Sequence, residues 1–497
     1  MRTNHGRTTG LAGAALVVAV ALGACSAGDG YSDASGVSEP GYDVAVPPDP
    51  EPGPSVPAPD FAMTDPTQDA LSTFALDIDT GSYTRFRDAV SQGMAVDPSE
   101  VRTEEFVNYF DQDYRTPESG LGVSIDATTL PFRPGHRLVR VGISSAPTSS
   151  ASRDDADLAL VVDCSGSMGD AGKMETTKAA LRTLVSALRP TDRVAMVCYS
   201  TEADLVLEPT RVSERAGVLA AVDALTPQES TNAAAGLALG YDVAMSMRTD
   251  GRMTRVVLIS DGVANVGETD PDGILARIST EAKSGINLIS VGVGITTYDD
   301  HLLEQLADQG DGWHVYIDGD AEAERVFATG LTGSLVVAAK DAKAQVEFDP
   351  AQVSGYRLLG YENRAVADAD FRNDAIDGGE VFAGHATTAL YEVALREGRS
   401  ERPFVTATVR YLDDAGEPVE RSGTLARSAD AASPREASPR LRQDLVVALL
   451  TDRLLGGPWS TVVSAADLRA EAGALLGVLD GDRDVAQLVE LVDRVTR

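Results

Sequence analysis

The sequence predicts an α/β fold: a doubly wound, mostly parallel sheet with flanking β-sandwich segments and a C-terminal helical segment. Three observations carry this. Between residues 157 and 330, short apolar stretches such as RVVLIS (255–260) alternate with helix-period stretches, the pattern of βα units with both sheet faces covered. On either side, at 121–145 and 333–425, apolar and polar residues alternate with the period of a half-buried strand. The last sixty residues return to helical spacing.

Taken in order, the chain opens with Arg2 and Arg7, then an apolar run from Leu11 to Leu22 that is short for a bilayer span. LGAC, Leu22 to Cys25, follows where a cleavage site belongs and resembles the bacterial lipobox. Residues 1–24 are therefore expected to be a lipoprotein signal peptide, with Cys25 as the lipidated residue. Residues 25–66 are rich in Pro, Gly, Ser and Asp, including VPPDPEPGPSVPAP at 46–59. Such a composition buries no core and reads as an extended tether.

Residues 67–150 form an α+β segment. STFALDID (72–79) predicts a strand, and SYTRFRDAVSQGM (82–94) a helix capped by Thr80 or Ser82. SEVRTEEFVNYF (99–110) predicts a second helix with Ser99 as N-cap, and 121–145 two strands parted by PFRPG. DIDTGS (77–82) reads as a strand end with helix caps rather than as a second cation site.

In 151–331 the expected strands are 157–163, 193–199, 203–208, 255–260, 286–293 and 313–317. Helices are expected at 171–188, 212–225, 233–247, 272–283, 300–308 and 320–328; in the first, Met174, Thr177, Leu181, Leu184 and Leu188 share one face. The strands of 332–425, such as Val405 to Tyr411 and Ala344 to Phe348, are expected to join those of 121–145 in one sandwich, with the α/β domain inserted between them. Residues 426–437 read as a loop. Residues 438–497 read as two or three helices, with a capping box at Ser464 and Asp467 and an apolar stripe of Val485, Leu488, Val489, Val492 and Val495.

The chain has 497 residues, enough for about two to four domains, and a formal net charge of −34. That charge argues against nucleic acid and against charge-driven binding to anionic lipid. Of the three cysteines, Cys164 and Cys198 remain after Cys25. An even pair in an exported chain is compatible with a disulfide, and equally with two buried thiols.

Ligands of open α/β sheets bind at the carboxyl ends of strands. Asp163, Ser165 and Ser167 leave the first strand in VVDCSGSMGD, Asp261 leaves the fourth in LISDG, and Thr231 lies in the loop QESTNAAAG before a helix. These are hard oxygen donors, with no thiolate or imidazole needed, which is the chemistry of Mg²⁺ or Ca²⁺. Hydroxyls are neutral and leave the ion electrophilic, so a partner's carboxylate can complete its shell. The same stretch lacks G-x-G-x-x-G and G-x-S-x-G, which argues against nucleotide binding and against a serine hydrolase. His136, His301, His314 and His385 stand in no motif that marks a catalytic base.

DCSGSM, the Thr231 loop and SDG resemble the metal-ion-dependent adhesion site of von Willebrand factor A domains, which are Rossmann-like. The resemblance implies a metal site of Asp163, Ser165, Ser167, Thr231 and Asp261, with the hydroxyls binding the ion directly and the carboxylates acting through water. FALDIDTGSYTRFR (74–87), EEFVNYFDQDY (104–114), GHRLVRVGI (135–143), VEFDPAQVSGYRLLGYENR (346–364) and GHATTALYEV (384–393) are similar to the flanking regions of the YfbK-like bacterial lipoproteins. Two departures stand out: Cys164 replaces a small or β-branched residue, and Gln228-Glu229 replaces glycine, which leaves Ser230 as a rival to Thr231. The whole implies a non-enzymatic, membrane-anchored, extracytoplasmic module. It would hold Mg²⁺ (Ca²⁺ or Mn²⁺ as alternatives) and capture a protein partner's acidic residue. The other reading is a cell-envelope scaffold in which the metal only stabilises the fold.

Overall fold

The computed structural model describes residues 61–497 apart from 150–151, 171, 263–277, 284, 295–299, 331–332, 334, 377, 399 and 414. Before the α/β domain come β1 (Leu71–Ala75), β2 (Leu121–Thr129) and β3 (His136–Ser145). The domain itself contributes β4 (Asp155–Asp163), β5 (Arg193–Tyr199), β6 (Ala203–Arg211), β7 (Arg252–Ser260), β8 (Ile286–Val293) and β9 (Trp313–Ile317). After it come β10 (Val337–Phe348), β11 (Val353–Leu359), β12 (Gly379–Phe382), β13 (Ala386–Leu395), β14 (Pro403–Leu412) and β15 (Pro418–Ala426).

The central sheet has the order β6-β5-β4-β7-β8-β9, parallel throughout except for the antiparallel edge strand β6. Its innermost strand, β4, is buried from Ala156 onward. Successive side chains of a strand point to opposite faces. Leu158, Leu160 and Val162 accordingly join a core with Leu181 and Leu184 of the helix Lys173–Ala187. Ala159 and Val161 join a second core with Leu237 and Tyr241 of the helix Ala233–Met247. Gly240 lets that helix approach closely: a Cβ there would lie 2.2 Å from Val161 Cγ2.

The flanking strands form two sheets, β1-β10-β14-β15 with β12 on β10, and β11-β13-β3-β2. Strands from before and after the α/β domain pair directly, β3 with β13 from His136↔Ala394 to Ser144↔Ala386. Phe74, Val139, Val141, Val346, Phe348, Tyr391 and Val405 fill the core between the sheets. The α/β domain is thus inserted into a β-sandwich.

Three C-terminal helices, Pro439–Leu454, Ala465–Leu475 and Arg483–Thr496, share a core with the N-terminal helices Gly81–Ser91 and Thr103–Asn108. Tyr83, Phe86, Phe106, Tyr109 and Phe110 meet Leu445, Leu449, Trp459 and Leu488 there. Ser464 and Asp467 form the capping box at the middle helix.

Several local expectations differ. Ser99 is not a helix cap. Its amide donates to Asp97 Oδ1 at 2.9 Å in a 3₁₀ turn, and the helix begins only at Thr103, after extended Val101 and Arg102. Thr80 holds the N-cap position of the first helix without a side-chain bond, because the Glu105 carboxylate takes the Ser82 amide at 2.7 Å. The helix expected at 212–225 splits into a 3₁₀ turn, Val212–Glu214, and an α-helix, Arg215–Ala224. The helix expected at 320–328 runs α over Asp320–Ala323 and π over Glu324–Thr329. Of the helix expected at 272–283, only 278–283 lies within the described residues, and it is helical. The leader, Cys25 and most of the tether lie outside them. Among the described residues no helix is long and apolar enough to cross a membrane.

Candidate metal centre

Asp163 is the last residue of β4 and is fully buried. Its Oδ1 accepts the Ser165 amide at 2.8 Å, and its Oδ2 accepts the hydroxyls of Ser260 at 2.8 Å and Tyr199 at 3.1 Å. Burial pushes its carboxyl above the usual carboxylate range, the bonds from Ser165 pull it back, and the charge of Asp261 pushes it up again. The side chain is thereby fixed from three elements before any ligand arrives.

Ser165 is buried and Ser167 is half-buried. Their hydroxyl oxygens stand 3.0 Å apart. Two adjacent ligands of an octahedral ion with bonds of about 2.1 Å stand about 3.0 Å apart. Asp261, directly after β7, is fully buried and accepts the Lys173 ammonium at 2.8 Å on Oδ2.

Thr231 reaches these strand ends through its neighbours. The Gln228 amide donates to the Cys164 carbonyl at 2.7 Å, and the Asn232 amide to the Ser200 carbonyl at 2.7 Å. Ser200 Oγ donates to Gln228 Oε1 at 2.9 Å. Ser230 takes the left-handed φ of 67°. It is exposed, whereas Thr231 is buried, which favours Thr231 as the donor on this loop. Asn232 then caps the helix Ala233–Met247, accepting from the Ala235 amide at 3.0 Å.

The structure therefore brings Asp163, Ser165, Ser167 and Asp261 to one sheet edge and secures the Thr231 loop beside them. The set fits a small hard cation: two hydroxyls at cis-ligand spacing and two buried carboxylates.

Cys164 and Cys198 are bonded to each other, with α-carbons 5.8 Å apart and a sequence separation of 34. The bond ties the DCSGS turn to β5, and the Cys164 amide donates to the Tyr199 carbonyl at 2.9 Å.

The DIDTGS stretch does something else. Asp77, Asp79 and Glu304 place carboxylate oxygens within 4.8 Å of one another. Arg364 reaches all three, at 3.3, 3.4 and 3.8 Å, and Asp308 at 2.8 Å. Burial and then the charge of Asp77 hold the Asp79 carboxyl well above its usual value. Asp79 Oδ1 accepts the His314 amide of β9 at 2.8 Å. Asp77 and Asp79 thus form an ion-pair hub between the sandwich and the α/β domain, while Thr80 of the same stretch holds the expected N-cap position.

Three contributors escape a motif reading: Lys173, Tyr199 and Ser260. Tyr199 and Ser260 end apolar strands and carry no local sign of their task. Lys173 does carry one, since a lysine at the first position of a helix opposes the helix dipole.

Comparison with known families decides the class. Residues 157–329 match the von Willebrand factor type A domain family. The chain carries a von Willebrand factor type A domain. Around that domain, residues 333–494 match the family described as YfbK, C-terminal, and residues 58–140 one described as von Willebrand factor. The chain is 35% identical to YfbK of Escherichia coli (strain K12) over 66% of its own length and 59% of that protein. It is 27% identical to sll0103 of Synechocystis sp. over 44% of its length and 53% of that protein. It thus spans between half and six tenths of the length of these two relatives. A solved von Willebrand factor type A protein from Catenulispora acidiphila aligns at TM-score 0.42 and 16% identity, covering 77% of this chain and 89% of that one. Type A domains are protein-interaction modules, and the type A domain here holds the candidate metal centre at the carboxyl edge of its sheet.

Proposed function

We propose that the chain is a membrane-anchored, extracytoplasmic binding protein that captures an acidic residue of a protein partner through a divalent cation. Mg²⁺ is the favoured ion, with Ca²⁺ and Mn²⁺ as alternatives. The observation that carries the reading is the Ser165–Ser167 hydroxyl pair, 3.0 Å apart at the end of β4. Ser165, Ser167 and Thr231 would hold the ion directly; Asp163 and Asp261 would orient and partly neutralise it. A bound divalent cation supplies an electrophilic centre to which a carboxylate oxygen can add. Asp163 is held by Ser165, Ser260 and Tyr199, so the site stays in register while a ligand comes and goes. Cys25, lipidated, and the 25–66 tether would carry the module at the membrane.

The test is capture from a cell-envelope extract by the full chain, with Mg²⁺ or with EDTA. Asp163→Ala also removes three internal hydrogen bonds, so Ser167→Ala, at a half-buried hydroxyl, is the cleaner variant. Capture should fall to background with EDTA and at least tenfold in Ser167→Ala. Capture that survives both rejects the metal-bridged reading and leaves the scaffold reading, in which Mg²⁺ raises the melting temperature and nothing more.

A further inference from the structure

Lys173 begins the helix Lys173–Ala187, where a positive charge meets the positive end of the helix dipole. Its side chain is nonetheless 2% exposed, and its ammonium lies 2.8 Å from Asp261 Oδ2, itself fully buried. Two charges taken out of water are tolerated only where they answer one another closely. The stem of the lysine has room because the residue after β8 is Gly294. Gly294 takes φ +77°, and a Cβ there would lie 2.6 Å from Lys173 Cε. The ends of β7 and β8 and the start of a helix are therefore arranged around one ammonium group at the edge of the metal centre.

We propose that Lys173 is a positioning residue of that centre: a built-in cation that fixes Asp261 and keeps the cation-loaded site net positive, which tunes it to take an anionic ligand. The inference rests on the metal-binding reading above. The charge count gives it content. Asp163 and Asp261 bring two negative charges, and Lys173 returns one. With a divalent ion the sum is one positive charge, matched to one incoming carboxylate. Without Lys173 the sum is zero, so the ion is held more tightly and the carboxylate is drawn less. Metal affinity and anion affinity should therefore move in opposite directions when the lysine is neutralised. A lysine that served only to pack the helix start would move neither in that way.

The probes are Mn²⁺ and acetate, with the full chain. Mn²⁺ affinity is measured by titration calorimetry, and acetate approach by relaxation of its methyl protons by protein-bound Mn²⁺. Lys173→Met keeps the aliphatic stem and removes the charge. Lys173→Gln is a second neutral variant that keeps a hydrogen-bond donor for Asp261. Circular dichroism identifies which of them is folded. The expected result is Mn²⁺ affinity raised about tenfold or more in the neutral variants, with acetate relaxation at equal Mn²⁺ occupancy reduced at least threefold. Wild type that binds Mn²⁺, beside neutral variants that bind it equally within twofold or more weakly, overturns this inference alone. Wild type that binds no Mn²⁺ overturns the metal reading and the inference with it.

Discussion

Opening the Cys164–Cys198 bond is expected to destabilise the α/β domain by about 4 kcal/mol. The bond closes a loop of 34 residues that holds the DCSGS turn, the helix Lys173–Ala187 and most of β5. The loop-closure entropy withheld from the unfolded chain by a cross-link of that span is about 13 cal/mol/K, hence about 4 kcal/mol at 25 °C. Cys164 is fully buried and Cys198 5% exposed, so replacement by alanine adds a packing loss to the entropic one. Reduction of wild type does not, because both sulfurs stay in place. The two perturbations should therefore be read side by side: the Cys164→Ala/Cys198→Ala protein, and wild type reduced during unfolding and refolded under reductant. The assay is amide hydrogen exchange of peptides covering β4 and β5, which resolves this domain from the sandwich and the helical bundle. At about 1.4 kcal/mol per decade, the slowest amides should lose close to a thousandfold in protection in the reduced protein. They should lose somewhat more in the alanine pair. Protection in both within about fivefold of the oxidised protein would refute the argument, and would mean that β4 and β5 are held by the sheet alone. Mn²⁺ affinity of the reduced protein is a second readout, since the bond begins between Asp163 and Ser165.

Three further outcomes are expected. Gly240→Ala should cost about 1–3 kcal/mol in denaturant unfolding, because its Cβ would fall 2.2 Å from Val161 Cγ2 on a fully buried strand. Burial, and then the charge of Arg325, lower the His385 imidazole to about 4. An unfolded histidine titrates near 6.5, so the unfolded chain binds the extra proton first. The contribution of His385 to stability is complete above about pH 6.5 and is lost as pH falls toward 4, by about 3 kcal/mol. Melting curves of His385→Gln between pH 4 and 7 should be flatter than wild type by that amount. Glu392 accepts Trp459 Nε1 and Arg357 Nη2, each at 2.9 Å, on one buried carboxylate. Glu392→Gln should cost up to about 3 kcal/mol, since Arg357 then keeps only Asp452, 4.0 Å away, as a counter-charge, and Trp459 fluorescence should report a loosened bundle.

Much of the fold was legible because hydrophobic period is a local property. β8 and β9 occupy the very residues their apolar runs marked, 286–293 and 313–317. The capping box of Ser464 and Asp467 could be read from four residues. The insertion of the α/β domain followed from flanking strands too short to fold alone. What escaped was set at long range. Ser99 has the composition of a cap, yet the cap lost to Asp97 and an extended Val101. Thr80 and Ser82 could not reveal that Glu105, more than twenty residues away, would take the first-turn amide. The five site residues were marked by order and spacing, and four of them meet at one edge. Tyr199 and Ser260 support them through contacts that no neighbouring residue predicts.

The sandwich that carries the α/β domain also imposes an order of events on the chain. His136 of β3 and Glu392 of β13 touch across 256 residues. β3 is therefore synthesised long before β13, and an entire domain must emerge before the sheet can close. Contacts of such separation are slow to form. Until β13 arrives, β3 offers one open edge of unpaired backbone groups to any other strand nearby. A chain cut short between β10 and β13 keeps all five candidate site residues and still carries that open edge. The vulnerability of this protein to aggregation is thus written into the distance between two strands that never meet in sequence.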